Sequence, residues 1–151
     1  MSKSVIEDSL YSIIFHEQKN KNMLIITEKE IETTNTYICN VTLYNPEMNI
    51  KKDVKALIDT GATFCGINSS ITKDLKLQPY GFRTYSTTDN QKVQKSKFDF
   101  KLQFENINTI IDVTGSETPY EMAKFDMIIG VDVLRLGTLI IDKGNLTFDI
   151  K

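Results

Sequence analysis

Phe98, Phe100, Leu102 and Phe104 alternate without a break with Asp99, Lys101 and Gln103. Successive side chains on a β-strand point to opposite faces, so this run predicts a strand with one buried and one solvated face. A helix would place the four apolar residues on two opposite sides and bury neither well.

The same pattern recurs along the chain. Residues 37–44 alternate and are rich in β-formers, and residues 54–58 are apolar. The turn-rich link 45–52, with Pro46, joins them into a hairpin with a long loop. Residues 83–87 and 91–95 flank a polar tip, Thr88-Asp89-Asn90, where Asp and Asn tolerate the left-handed backbone of a hairpin turn. Residues 64–67 form a further short strand. The turn Asn106-Ile107-Asn108 leads into a strand over 109–113. Residues 114–124, with Gly115 and Pro119, read as a surface loop, and residues 125–129 as an apolar strand suited to burial on both faces. A last hairpin, 138–142 and 145–150, turns at Lys143-Gly144. Two short helices punctuate this series. One follows the caps Asn68-Ser69-Ser70 and carries Ile71 and Leu75, and Pro79 and Gly81 close that piece. The other covers 131–136 and is ended by Gly137. Many short strands with regular turns predict a closed all-β domain with one or two short helices.

Residues 1–35 differ. Ser4-Val5-Ile6-Glu7 fits a capping box, and Ile6, Leu10, Ile13 and Ile14 recur at helical spacing; a strand over 11–15 fits nearly as well. A turn at Asn20-Lys21-Asn22 follows. The expected division is an N-terminal extension, 1–35, without an assigned role, and one domain over 36–151.

Composition narrows the function. The chain has 151 residues, 40% hydrophobic and 25% charged, enough for one globular core. Its net charge of −2 leaves no basic footprint for nucleic acid. No run approaches the roughly 20 apolar residues of a membrane span, so no membrane partner is expected. Acidic residues come early in the N-terminal segment, which argues against a secretory signal and for a cytoplasmic protein. Cys39, Cys65 and the single histidine, His16, cannot build an ordinary zinc site, and no cofactor is expected. The two cysteines read as small buried hydrophobes.

One segment carries chemistry. In Ala56-Leu57-Ile58-Asp59-Thr60-Gly61-Ala62 an ionisable residue ends an apolar strand and enters a tight turn. A carboxylate there is held on a rigid element, partly desolvated, as catalytic acids are. Thr60 brings a hydroxyl to the turn, and Gly61 permits close backbone approach. By itself the triplet Asp59-Thr60-Gly61 also fits a plain polar turn.

A second segment supplies context: Asp126-Met127-Ile128-Ile129-Gly130-Val131-Asp132-Val133-Leu134, whose Gly130 lies 71 residues after Asp59. Together with the hairpin between them, the two segments resemble the retropepsin-like aspartic protease family from about Tyr37 to Ile150. The resemblance implies a closed retropepsin-like β-barrel, half of an acid protease, that becomes an aspartic endopeptidase as a homodimer acting on a peptide or protein. It implies Asp59 as the catalytic carboxylate, Thr60 as a hydrogen-bonding partner across the dimer, and Gly61 and Ala62 as the floor beneath the substrate. Ile128, Ile129 and Gly130 would buttress the catalytic loop, and Asp132 would cap the following helix. Thr88, Asp89 and Asn90 would form the tip of a flap over the substrate, with Asn90 where the family usually has glycine. Ile67 and Val93 are expected in apolar subsites, and the strand over 145–150 or the N-terminal segment in the dimer contact. A dimeric binding module that keeps this fold without turnover is the alternative, and a cleavage assay separates the two.

Overall fold

The computed structural model describes residues 22–28 and 36–150. The helix or strand expected within residues 4–15 lies outside these.

Seven strands form one sheet: β2 (Ile38–Tyr44), β3 (Lys51–Ile58), β4 (Gly66–Ile67), β5 (Gly81–Ser86), β6 (Lys92–Phe104), β7 (Ile111–Glu117) and β8 (Met127–Ile129). Their order is β2-β3-β8-β4-β7-β6-β5, and β2 also pairs with β6. That extra pairing closes six strands into a barrel and leaves β5 projecting from it, attached only to β6. Closure removes the open edges that an isolated sheet would present. Three further strands, β1 (Met23–Ile26), β9 (Gly137–Asp142) and β10 (Asn145–Ile150), make a small antiparallel sheet in the order β1-β10-β9. Two short helices, α1 (Ser69–Asp74) and α2 (Val131–Leu134), complete the described elements.

β6 shows how the alternation works. Its first half pairs with β5, from Gly81↔Lys97 to Ser86↔Lys92, and stands clear of the barrel. At Phe98 it enters the barrel wall, where β7 and β2 flank it. Phe98, Phe100, Leu102 and Phe104 are all buried, and the alternating polar residues face outward. Burying one such side chain contributes about 1.5–3 kcal/mol. Phe104 meets Phe148 of β10 edge to face, with ring centroids 5.3 Å apart, which ties the small sheet to the barrel. Leu24 and Ile26 of β1 join that same core. β1 therefore comes from an apolar stretch, Met23-Leu24-Ile25-Ile26, within the segment read as an extension, and it pairs along β10 from Met23↔Asp149 to Ile26↔Leu146.

Several expectations are corrected. Residues 114–117 are not loop: β7 runs to Glu117, with Gly115 and Ser116 buried. A Cβ at Gly115 would lie 2.8 Å from Phe100 Cε1 and 3.2 Å from the Cys65 carbonyl, so only glycine lets the three segments pack. Residue 125 precedes β8 rather than starting it. Asn68 stands at the start of α1 without a side-chain cap. Its buried amide instead accepts from Met122 N–H at 2.9 Å and donates to Met122 O at 3.1 Å, holding the irregular segment 118–126. Gly137 begins β9 and does not cap α2, which ends at Leu134 with Arg135 at its C-cap. Ile67 is fully buried in the core and lines no subsite. β10 is the middle strand of its sheet, so both its edges are occupied and it has none to offer a partner.

The turns follow their residue types. Lys143 and Gly144 both have positive φ, 50° and 85°, as the two central residues of a type I′ hairpin turn must. In the 45–50 loop the side-chain Oδ1 of buried Asn45 accepts from Asn49 N–H at 3.0 Å and Ile50 N–H at 2.9 Å.

Candidate active site

β3 and β8 run parallel and side by side, with Ala56↔Met127, Leu57↔Ile128 and Ile58↔Ile129 in register. Each strand ends and immediately gives up a chain segment at the same end of the barrel: Asp59-Thr60-Gly61 from β3, Gly130 and α2 from β8. The two segments interlock. Asp59 N–H donates to Ile129 O at 3.0 Å, and Ala62 N–H donates back to Asp59 O at 3.2 Å. Val131 N–H donates to Ala62 O at 2.8 Å and Asp132 N–H to Thr63 O at 3.3 Å, so the first amides of α2, which have no partner within the helix, are satisfied by the loop.

Gly130 makes this contact possible. A Cβ there would lie 2.7 Å from Ala62 O and 2.9 Å from both Phe64 C and Phe64 O. These are backbone atoms and have no room to yield.

Asp59 is half-buried, while Thr60 and Gly61 are exposed. The Asp59 carboxylate accepts from Gly61 N–H at 2.9 Å through Oδ1. That single bond aims the group and leaves Oδ2 without a hydrogen bond from the described residues. Among the described residues there is no cluster of three or more His, Cys, Asp or Glu that could hold a metal.

Asp132 does not cap α2 as expected; Gly130 stands at the cap position. Its carboxylate accepts from Cys65 N–H and from the Cys65 thiol, both at 3.3 Å, and from Val133 N–H at 3.0 Å. Asp132 is thus a strut between α2 and the segment following the Asp59 loop. Burial pushes the Cys65 thiol far above its usual range, with the Asp132 carboxylate adding to the rise. Cys39 is pushed up to about 12, chiefly by burial. Neither thiol is a nucleophile in this setting.

A cleft of about 660 Å³ opens between the loop and the β5–β6 hairpin. Ala62, Thr63 and Phe64 form one wall, Arg83, Tyr85, Thr87 and Thr88 of the hairpin another, Thr118, Pro119 and Tyr120 a third, and Ile128 the floor. The hairpin is anchored by Tyr85, whose hydroxyl bonds Ser116 Oγ, and by Arg83, whose Cζ sits 3.7 Å from the centre of the Phe64 ring. At its tip Thr87 N–H donates to Gln91 O at 2.8 Å and Asn90 N–H to Thr87 O at 3.0 Å. Asn90 has φ of 62°, the left-handed conformation for which asparagine substitutes for glycine. The Asp89 carboxyl is held below its usual range, first by the Thr87 hydroxyl hydrogen-bonded to it. Of the residues singled out in the sequence, Ala62 and Thr88 line the cleft. Asp59, Thr60 and Gly61 precede Ala62 on the same loop and are not among the lining residues, and Asp89 and Asn90 sit at the exposed tip. Val93 is not among its lining. The sequence reading missed Arg83, Phe64, Tyr85 and the 118–120 segment; period-two alternation along 81–87 puts Arg83, Tyr85 and Thr87 on one face and was the available signal.

A larger groove of about 730 Å³, lined in part by Asn40, Asp53, Lys55, Glu105 and Asp126, contains none of the predicted site residues. It lacks the interlocked loop that positions Asp59, and we place the candidate chemistry at the smaller cleft.

Among solved structures, a retropepsin-like aspartic protease from Rickettsia conorii is similar in fold, with a TM-score of 0.62 and 18% identity over 85% of this chain and 90% of that one. The protease of simian foamy virus is also similar, at a TM-score of 0.46 and 12% identity over 66% of this chain and 92% of that one. No curated protein matches the chain significantly. A sequence family described as aspartyl protease matches residues 45–133, more than half of the chain and the stretch that holds Asp59, the hairpin and Gly130. The chain belongs to the aspartyl protease family and has a retropepsin-like β-barrel.

Proposed function

We propose that the protein is an aspartic endopeptidase that works as a symmetric homodimer. The observation that carries this reading is the half-buried Asp59 carboxylate, oriented by one backbone bond on a loop that Gly130 and α2 hold in place and whose Ala62 lines an open cleft. One chain supplies one such carboxylate. A two-fold axis beside the loop would bring Asp59 of a second copy against it, because such an interface presents the same patch from each side. Thr60, exposed at the turn, would bond across that axis. β9, with exposed Ile140 and Ile141 and its outer edge unpaired among the described residues, is available for further contacts.

Two carboxylates at about 3 Å share one proton. The ionised Asp59 takes a proton from water as the water oxygen attacks the peptide carbonyl carbon. The protonated Asp59 donates to the carbonyl oxygen. Collapse of the tetrahedral intermediate breaks the C–N bond as the amine nitrogen gains a proton from the pair. Ala62 would lie beneath the substrate, and Thr88, Asp89 and Asn90 would close over it. No cofactor enters this chemistry, and neither nucleic acid nor a membrane is needed as a partner.

Asp59→Asn tests the assignment. The variant should fold normally and lose at least about a hundredfold in peptide hydrolysis, while Asp132→Asn retains activity. The wild-type rate should follow a bell-shaped pH profile on the acid side of neutrality. Wild-type turnover by Asp59→Asn would remove Asp59 from the mechanism.

A further inference from the structure

We propose that Arg83 makes the cleft select an acidic peptide: an Asp or Glu side chain of the substrate seats against its guanidinium. The proposal rests on reading the cleft as a peptide-binding site. Arg83 is half-buried on the inward face of β5 and, among the described residues, is the only charged one lining the cleft. Nη1 is buried and has no hydrogen-bond partner, and no carboxylate among the described residues pairs with Arg83. Asp132 is committed elsewhere, to Cys65 and Val133.

A guanidinium drawn away from water without an anion is unfavourable, and stacking on Phe64 recovers only part of that loss. The contact holds Cζ 3.7 Å from the centre of the Phe64 ring and limits where the group can move. The N–H groups that the ring does not cover suit a planar carboxylate, which a guanidinium binds through two parallel hydrogen bonds. The rest of the lining is hydroxyl-rich and carries no carboxylate to repel an acidic side chain. A purely mechanical role, with Arg83 only clamping the hairpin to Phe64, would leave peptide choice indifferent to charge.

The test uses peptide pairs that differ only by Glu or Gln at each position around the scissile bond, assayed at pH 6. Wild-type protein should prefer Glu by about tenfold or more in kcat/KM at one position. That preference should fade as the pH falls through about 4, where the peptide carboxyl protonates. Arg83→Gln should erase the preference while still cleaving the Gln peptide, and Arg83→Glu should favour Lys there instead. Arg83→Met, which keeps the stem over Phe64, is made alongside in case one variant fails to fold. Binding of the same peptides to wild-type and Asp59→Asn protein is followed by fluorescence anisotropy. Charge-selective binding without cleavage would uphold the subsite and refute the protease reading. Equal handling of Glu and Gln by the wild type, or a Glu preference that survives in the folded Arg83 variants, would overturn the proposal.

Discussion

Cys39 and Cys65 show how far environment moves a side chain from its ordinary behaviour. Burial raises both thiols, Cys39 from 9.0 to about 12. The folded chain therefore holds these protons more tightly than the unfolded chain. The resulting stabilisation is complete below the unfolded value near 9 and is lost as pH rises through the folded value. Denaturant midpoints should accordingly decline above about pH 9, and less so in Cys39→Ala. At pH 8 a thiol reagent should leave the native protein untouched and modify both cysteines once it is unfolded; rapid labelling of native protein would contradict the burial. At this same scale Asp59-Thr60-Gly61 was legible in the sequence, because a carboxylate at the end of an apolar strand breaks the pattern around it. Arg83 was not. Alternation groups it with Tyr85 and Thr87 on one face, but an arginine in a polar hairpin strand ordinarily faces solvent, and the position of β5 over Phe64 decided that this face turns into the cleft.

At the scale of elements, the junction of β8 and α2 holds the loop that carries Asp59 through backbone contacts that tolerate no side chain at Gly130. Gly130→Ala should lower stability by about 1–3 kcal/mol, since the clash is with backbone rather than a flexible side chain. Its activity should fall further than its stability, because relief of the clash displaces the loop that carries Asp59. A denaturant midpoint and a specific activity both equal to wild type would refute the buttress. β7 makes the complementary point. Thr114-Gly115-Ser116 has the composition of a loop, yet all three pair with β6 and Ser116 also pairs with β4. Pairing partners that far apart in sequence are invisible to local propensity, whereas the alternation in β6 announces itself.

For the whole molecule, the proposed dyad chemistry requires two copies. Specific activity should fall on dilution below the dimer dissociation constant, tracking mass measured by light scattering. Added Asp59→Asn protein should poison the wild type by forming mixed dimers with one carboxylate missing. Full activity per chain in a strict monomer would sink the shared-proton mechanism. Leu146 and Phe148 of β10 pack in the core while β1 and β9 cover both its edges. Within this sheet, strand pairing between copies is thereby directed to the outer edges of β1 and β9.

What the sequence determined by itself was whatever depends on neighbours a few residues away. Strand periodicity, the turn residues Asn90 and Lys143-Gly144, and a carboxylate at the end of β3 all fall in this class. Tertiary structure alone decided which strands meet. Closure through β2 and β6, the recruitment of Met23–Ile26 beside β10, the parallel pairing of β3 with β8 and the placement of Arg83 across from Phe64 depend on contacts between distant residues. Such contacts are selected by total burial and by the need to pair every buried backbone amide, conditions satisfied only by the assembled barrel.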